Sequence, residues 1–188
     1  PYDRIVNFIT QNPNWPDQKL LCATAERNMP EHLSAGEVLS WFISHPPVTG
    51  EGLKSLIEAG NTSGQTQSIN GLVNNAWPKA DMSQETQLAI MRDHSALISR
   101  SAHEARLDTL LKNSQYTLAR SLASSLQSGY PRLVEARIAL SEDKRGADDL
   151  VYEIPASLQH NSGLIFDRIR WLRRNNMNDG ASSLLASV

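Results

Sequence analysis

Prolines and glycines cut this chain into segments of helical spacing, and no segment alternates apolar with polar residues in the manner of a strand. That pattern leaves little but an all-α fold. β-Branched runs do not occur and aromatic residues are only 6% of the total, so the raw material of a sheet is missing. The one strand-like stretch, VYEIP at 151–155, stops at its own proline. The spacing predicts helices over 3–10, 16–29, 34–44, 51–59, 66–76, 84–94, 96–112, 115–126, 130–141, 146–152, 162–175 and 179–186. Ser34, Thr49 and Ser83 are placed to accept from the free amides of a first turn, and Ser114 is a further cap candidate. Pro131 suits the first turn of its helix, and Gly60 is expected to end the helix over 51–59. About twelve short helices, two of them per 30–35 residues, fit an α-superhelix of stacked antiparallel hairpins. The expectation is one superhelical domain over 1–188.

The stretch NPNWP at 12–16 reads as a corner between the first two helices. Asn12-Pro13 closes the first helix, Asn14 is positioned to cap the next, and Pro16 has the fixed φ of a first turn. Trp15 then plugs the corner, or stacks on a ligand.

The chain has 188 residues and a net charge of −2, which gives no basic excess of the kind nucleic acid selects. No apolar run approaches the roughly 18 residues that cross a bilayer. Pro1 stands where a methionine would, and the chain closes on the apolar ASSLLASV; both ends are read as cuts within a longer protein, so the missing signal peptide says nothing about targeting. The single cysteine, Cys22, sits among Leu20, Leu21 and Ala25 and reads as a small buried hydrophobe.

Reactive chemistry is hard to find. Glycoside cleavage needs a placed carboxyl group that keeps its proton. The acidic residues here are scattered, and the adjacent pairs Asp148-Asp149 and Glu142-Asp143 read as solvated helix ends. The five histidines have no close ligand spacing, so no metal site and no cofactor are expected. AGNTSGQ at 59–65 lacks the lysine and preceding strand of a phosphate loop. No residue is assigned a catalytic role.

In order along the chain stand NPNWP, LLCATAERN, VLSWF, PPVTGEGL, the AW pair at 76–77, HEARLDTLL, ARSLASSL, ARIAL and SGLIFDRIRWLRRNN. This series resembles the helical U-shaped domain of the soluble lytic murein transglycosylases, periplasmic bacterial enzymes that cleave peptidoglycan glycan strands. The resemblance rests on Asn12, Pro13, Trp15 and Pro16, then His103, Arg106 and Asp108, then Arg168, Trp171, Arg173 and Arg174. It implies a periplasmic protein with peptidoglycan as partner and a lysozyme-like catalytic domain elsewhere in the same protein. In that family the catalytic glutamate lies in a Glu-Ser motif on the following domain; Glu-Ser occurs nowhere in this chain, which alone is therefore expected to be inactive.

On a helix, RIRWLRRNN at 168–176 separates into faces. Ile165, Ile169 and Leu172 form an apolar stripe with Trp171 at its edge. Arg170 and Arg174 fall opposite, and Arg173 on the flank. These three arginines and Trp15 are the candidate glycan contacts, since the guanidinium fork suits the carboxylates of peptide stems and lactyl groups. Arg168, between the stripe and Trp171, needs an anionic partner, and Asp108 is the expected one. The contrasting reading is a TPR-like scaffold for a protein partner.

Overall fold

Local hydrogen bonds at the predicted caps open three helices of the chain's first half. Ser34 Oγ accepts from the Glu37 amide while Glu37 Oε2 accepts from the Ser34 amide, a reciprocal capping box. Thr49 Oγ1 accepts from Gly52 N at 3.0 Å, and Ser83 Oγ from Thr86 N at 3.1 Å. Each such cap stabilises its helix by about 1 kcal/mol. The computed structural model describes residues 2–187. They form thirteen α-helices: α1 (Tyr2–Gln11), α2 (Gln18–Arg27), α3 (Ala35–Ser44), α4 (Gly50–Thr62), α5 (Thr66–Ala76), α6 (Gln84–His94), α7 (Arg100–Lys112), α8 (Tyr116–Ser124), α9 (Tyr130–Ser141), α10 (Ala147–Tyr152), α11 (Ala156–Gln159), α12 (Ser162–Arg174) and α13 (Asn178–Ala186). The fold is all-α. Among the described residues the only strand-like pairing is an isolated parallel bridge between Thr49 and Asp81.

The chain divides into two compact units, Pro1–Arg106 and Leu107–Val188, and the boundary falls inside α7. In the first unit α3 packs on α4 and α4 on α5. Val38, Leu39, Trp41 and Phe42 of α3 are buried with Leu53, Leu56 and Ile57 of α4. Gly60 does not end α4, which runs on to Thr62. It is buried against Ile69 of α5, and its missing Cβ lets the two helices close up.

In the second unit α9 is the central helix, packed by α8, α10 and α12. Eight of its twelve residues are buried, and Arg137 is the one charged residue among them. A helix buried on nearly all sides has to be apolar nearly all round, and YPRLVEARIALS almost is.

The corner at 12–16 differs from its expected form. α2 begins at Gln18, and Asp17 precedes it in a left-handed conformation, φ 61°, without a side-chain cap bond. Asn14 and Pro16 therefore stand outside the helix. Asn12 carries the turn instead: its carbonyl oxygen accepts from the Trp15 amide at 3.0 Å and from Gln18 Nε2. VYEIP is the end of α10 and its exit, with Ile154 buried.

Candidate functional site

Most of the residues singled out above build the frame. The PPVTGEGL stretch wraps a buried acid: Glu26 of α2 accepts from the amides of Val48 and Thr49 at 2.9 and 2.7 Å and from the Thr49 hydroxyl. Gly52 lies so close to Glu26 that a Cβ would collide with its carboxylate. Burial pushes the Glu26 carboxyl above its usual range, against the pull of those three donors. Only 3% of the residue is exposed, so the acid is a structural acceptor.

The HEAR segment of α7 has the same character. Arg106 is buried over the Trp77 ring, 4.7 Å from its centre. Its Nη1 donates to the carbonyls of Trp77 and Ala80 at 2.7 and 3.1 Å, and Nε donates to Gln87 Oε1 at 2.8 Å. The guanidinium thereby closes the C-terminal end of α5, where helix carbonyls carry partial negative charge. Burial pushes its pKa down to about 10, with Asp81 opposing, so it stays charged at neutral pH. His103 sits edge-on to Trp77, with ring centres 5.7 Å apart. Burial and then the Arg106 charge lower its pKa. The Cys22 thiol is buried too, and desolvation, then Glu26, raise its pKa.

The arginine-rich segment is where the chain opens. Gly163, Asp167, Arg170 and Arg174 recur at four-, three- and four-residue steps, which sets them on one face of α12. Asp167 Oδ2 accepts from Arg137 Nε at 2.7 Å, and Asp108 Oδ1 of α7 accepts from Arg137 Nη1 at 2.5 Å. A Cβ on Gly163 would strike this Arg137–Asp108 pair, so the glycine makes the room it occupies. Above the pair is a cleft of about 580 Å³, open to solvent. Lys112, Tyr116 and Ser141 line it together with Phe166 and Arg170 of α12. Arg170 lies over the Phe166 ring, 5.5 Å from its centre. Arg174 donates to the carbonyls of Leu140 and Ser141 and so closes the end of α9.

The expected pair of Arg168 with Asp108 is not formed. Arg168 donates to both oxygens of Asp148 on α10, at 2.7 and 3.1 Å, and to Tyr152 Oη at 3.1 Å. The bond to Asp148 above all, and the Tyr152 contact after it, raise the Arg168 pKa. Asp148 is thus a structural anion rather than a solvated helix end, and Asp108 belongs to Arg137. Of the four candidate contact residues, Arg170 lines the cleft, Arg174 caps α9, and Arg173 is exposed. Trp15 belongs to the first unit, 52% exposed and edge-on to Phe8 at 5.2 Å.

Arg137 and Asp167 were missed from sequence, although a signal existed. ARIAL places one arginine in an otherwise apolar run, and a buried charge needs partners. Among the described residues no three histidine, cysteine or acidic side chains converge as a metal site would require, and no helix is long and apolar enough to cross a membrane. No protein-family model matches the chain, and comparison with curated proteins and with solved structures gave no significant match.

Proposed function

We propose that this chain is the non-catalytic superhelical domain of a soluble lytic transglycosylase. It holds peptidoglycan in the periplasm for a separate lysozyme-like catalytic domain. The observation that carries the reading is the ordered series of motifs along nearly the whole chain. The all-α architecture supports it, because packed helical hairpins offer extended surface to a polymer. The roles of Asn12, Arg106 and Glu26 as frame residues support it as well, since positions that hold a fold together are those a related fold would share. Arg170 and Arg173, on the open side of α12, are the contacts assigned to stem-peptide and lactyl carboxylates.

Co-sedimentation with purified sacculi tests the proposal. The chain is expected in the pellet at low salt, with retention weakened about tenfold by the double change Arg170→Ala, Arg173→Ala, one factor of ten being about 1.4 kcal/mol. Full recovery in the supernatant would contradict it.

One observation favours the contrasting scaffold reading. Phe8, Trp15 and Leu20 are exposed large apolar residues at the α1–α2 corner, beside a shallow groove of about 380 Å³ lined by Ile5, Phe8 and Leu21. Exposed apolar surface of this kind suits a protein partner. Co-purification of a stoichiometric protein that Trp15→Ala releases, without sacculus retention, would select that reading.

A further inference from the structure

We infer that the cleft beside Arg137 is a binding site for a small ligand carrying both a carboxylate and an ammonium group, a free α-amino acid or a dipeptide. The inference stands on the cleft's own chemistry and does not depend on the murein reading.

The floor of the cleft is a built site. Arg137 is 95% buried as a side chain, since only 5% of it is exposed, yet it lines the cleft. Its Nε and Nη1 are committed to Asp167 and Asp108. Among the described residues no group accepts from Nη2, and that nitrogen is not sealed off from solvent. A guanidinium that is buried except for one open edge can accept an anion at that edge, where its fixed N–H donors make charge-assisted hydrogen bonds.

Two further cations flank it. Neither Lys112 nor Arg170 has an ion-pair partner among the described residues. Phe166 supports the Arg170 guanidinium and leaves its N–H edges to a carboxylate.

The acids decide the rest. Asp108 and Asp167 each have one oxygen engaged by Arg137 and a second oxygen with no protein donor among the described residues. The Asp108 side chain is 45% exposed and lines the cleft. The two carboxylates oppose the second charge of an anion such as phosphate and give an ammonium a counter-ion, while the three cations take a single carboxylate. A neutral sugar would leave both charges of the site unanswered. The volume of about 580 Å³ lies within the range of small-molecule sites, roughly 300–1,000 Å³.

The test is amide-resonance titration of the whole chain with alanylalanine, its C-terminal amide, its N-acetyl form and inorganic phosphate, each to about 10 mM, above a millimolar Kd. Alanylalanine is expected to move resonances of residues 108–116 and 162–170 saturably. The amide, the N-acetyl form and phosphate should each bind at least about tenfold more weakly, as one lost charge-assisted contact implies. Arg170→Ala and Lys112→Ala, both at exposed positions and checked for intact folding by circular dichroism, should weaken alanylalanine binding to a similar degree. Arg120→Ala, on the exposed pair with Glu135, should leave it unchanged. No shifts with alanylalanine, equal binding of the capped forms, or phosphate binding as tight would overturn the inference.

Discussion

Arg106 on α7 donates to the carbonyl oxygen of Trp77 at 2.7 Å, reaching back 29 residues to close the C-terminal end of α5. One guanidinium serves three acceptors there, and none of them is a carboxylate. Arg106→Met would leave two buried carbonyls and the Gln87 amide oxygen without this donor. The expected loss is about 2–4 kcal/mol, read from urea unfolding. Arg106→Lys should recover little, because one ammonium cannot reproduce a fork spread over three acceptors. A loss near zero would show that water replaces the guanidinium freely.

His103 supplies a pH dependence. Its pKa is lowered in the folded state from an ordinary 6.5, so below that pH the unfolded chain takes up a proton that the folded chain resists. Stability is therefore complete above pH 6.5 and falls as pH drops toward the folded value. Glu26 acts with the opposite sign above its ordinary 4.5, because its folded pKa is raised. The midpoint of urea unfolding should decline between pH 7.5 and 5.5, about a unit either side of 6.5, and His103→Phe should flatten that decline. An equal slope in the variant would assign the effect elsewhere.

Gly52→Ala tests the nest around Glu26. The added Cβ would run into a carboxylate held by three donors, which cannot swing aside without breaking them. A cost of about 1–3 kcal/mol is expected from overpacking, despite the better helix propensity of alanine. A neutral or stabilising result would mean that the carboxylate relocates.

These sites mark what could be read locally and what could not. Ser34, Thr49 and Ser83 were legible because a cap depends on residues three positions apart. The faces of α12 were legible for the same reason, with Leu172 buried and Arg170, Arg173 and Arg174 exposed. α11 escaped because four residues after a proline carry no periodicity. The partner of Arg168 was misjudged because nothing local separates Asp108 from Asp148; the choice lies in how α10 and α12 pack. Gly163 escaped as a cleft residue because its role is the space it leaves for atoms on two other helices.

The corrected pairing is open to direct measurement. A double-mutant cycle between Arg168 and Asp148, both mostly buried side chains, should give a coupling of about 0.5–1 kcal/mol. The cycle between Arg168 and Asp108 should give none beyond error. Coupling in the second cycle alone would restore the pairing first read from the sequence.

Incubation of the purified chain with intact sacculi, followed by chromatography of the pellet and the supernatant, tests the central claim most directly. A module that holds murein without cleaving it predicts protein in the pellet, released by salt, and no anhydro-muropeptides in the supernatant. Protein that remains unbound at low salt, or a supernatant that accumulates anhydro-muropeptides, would contradict the account.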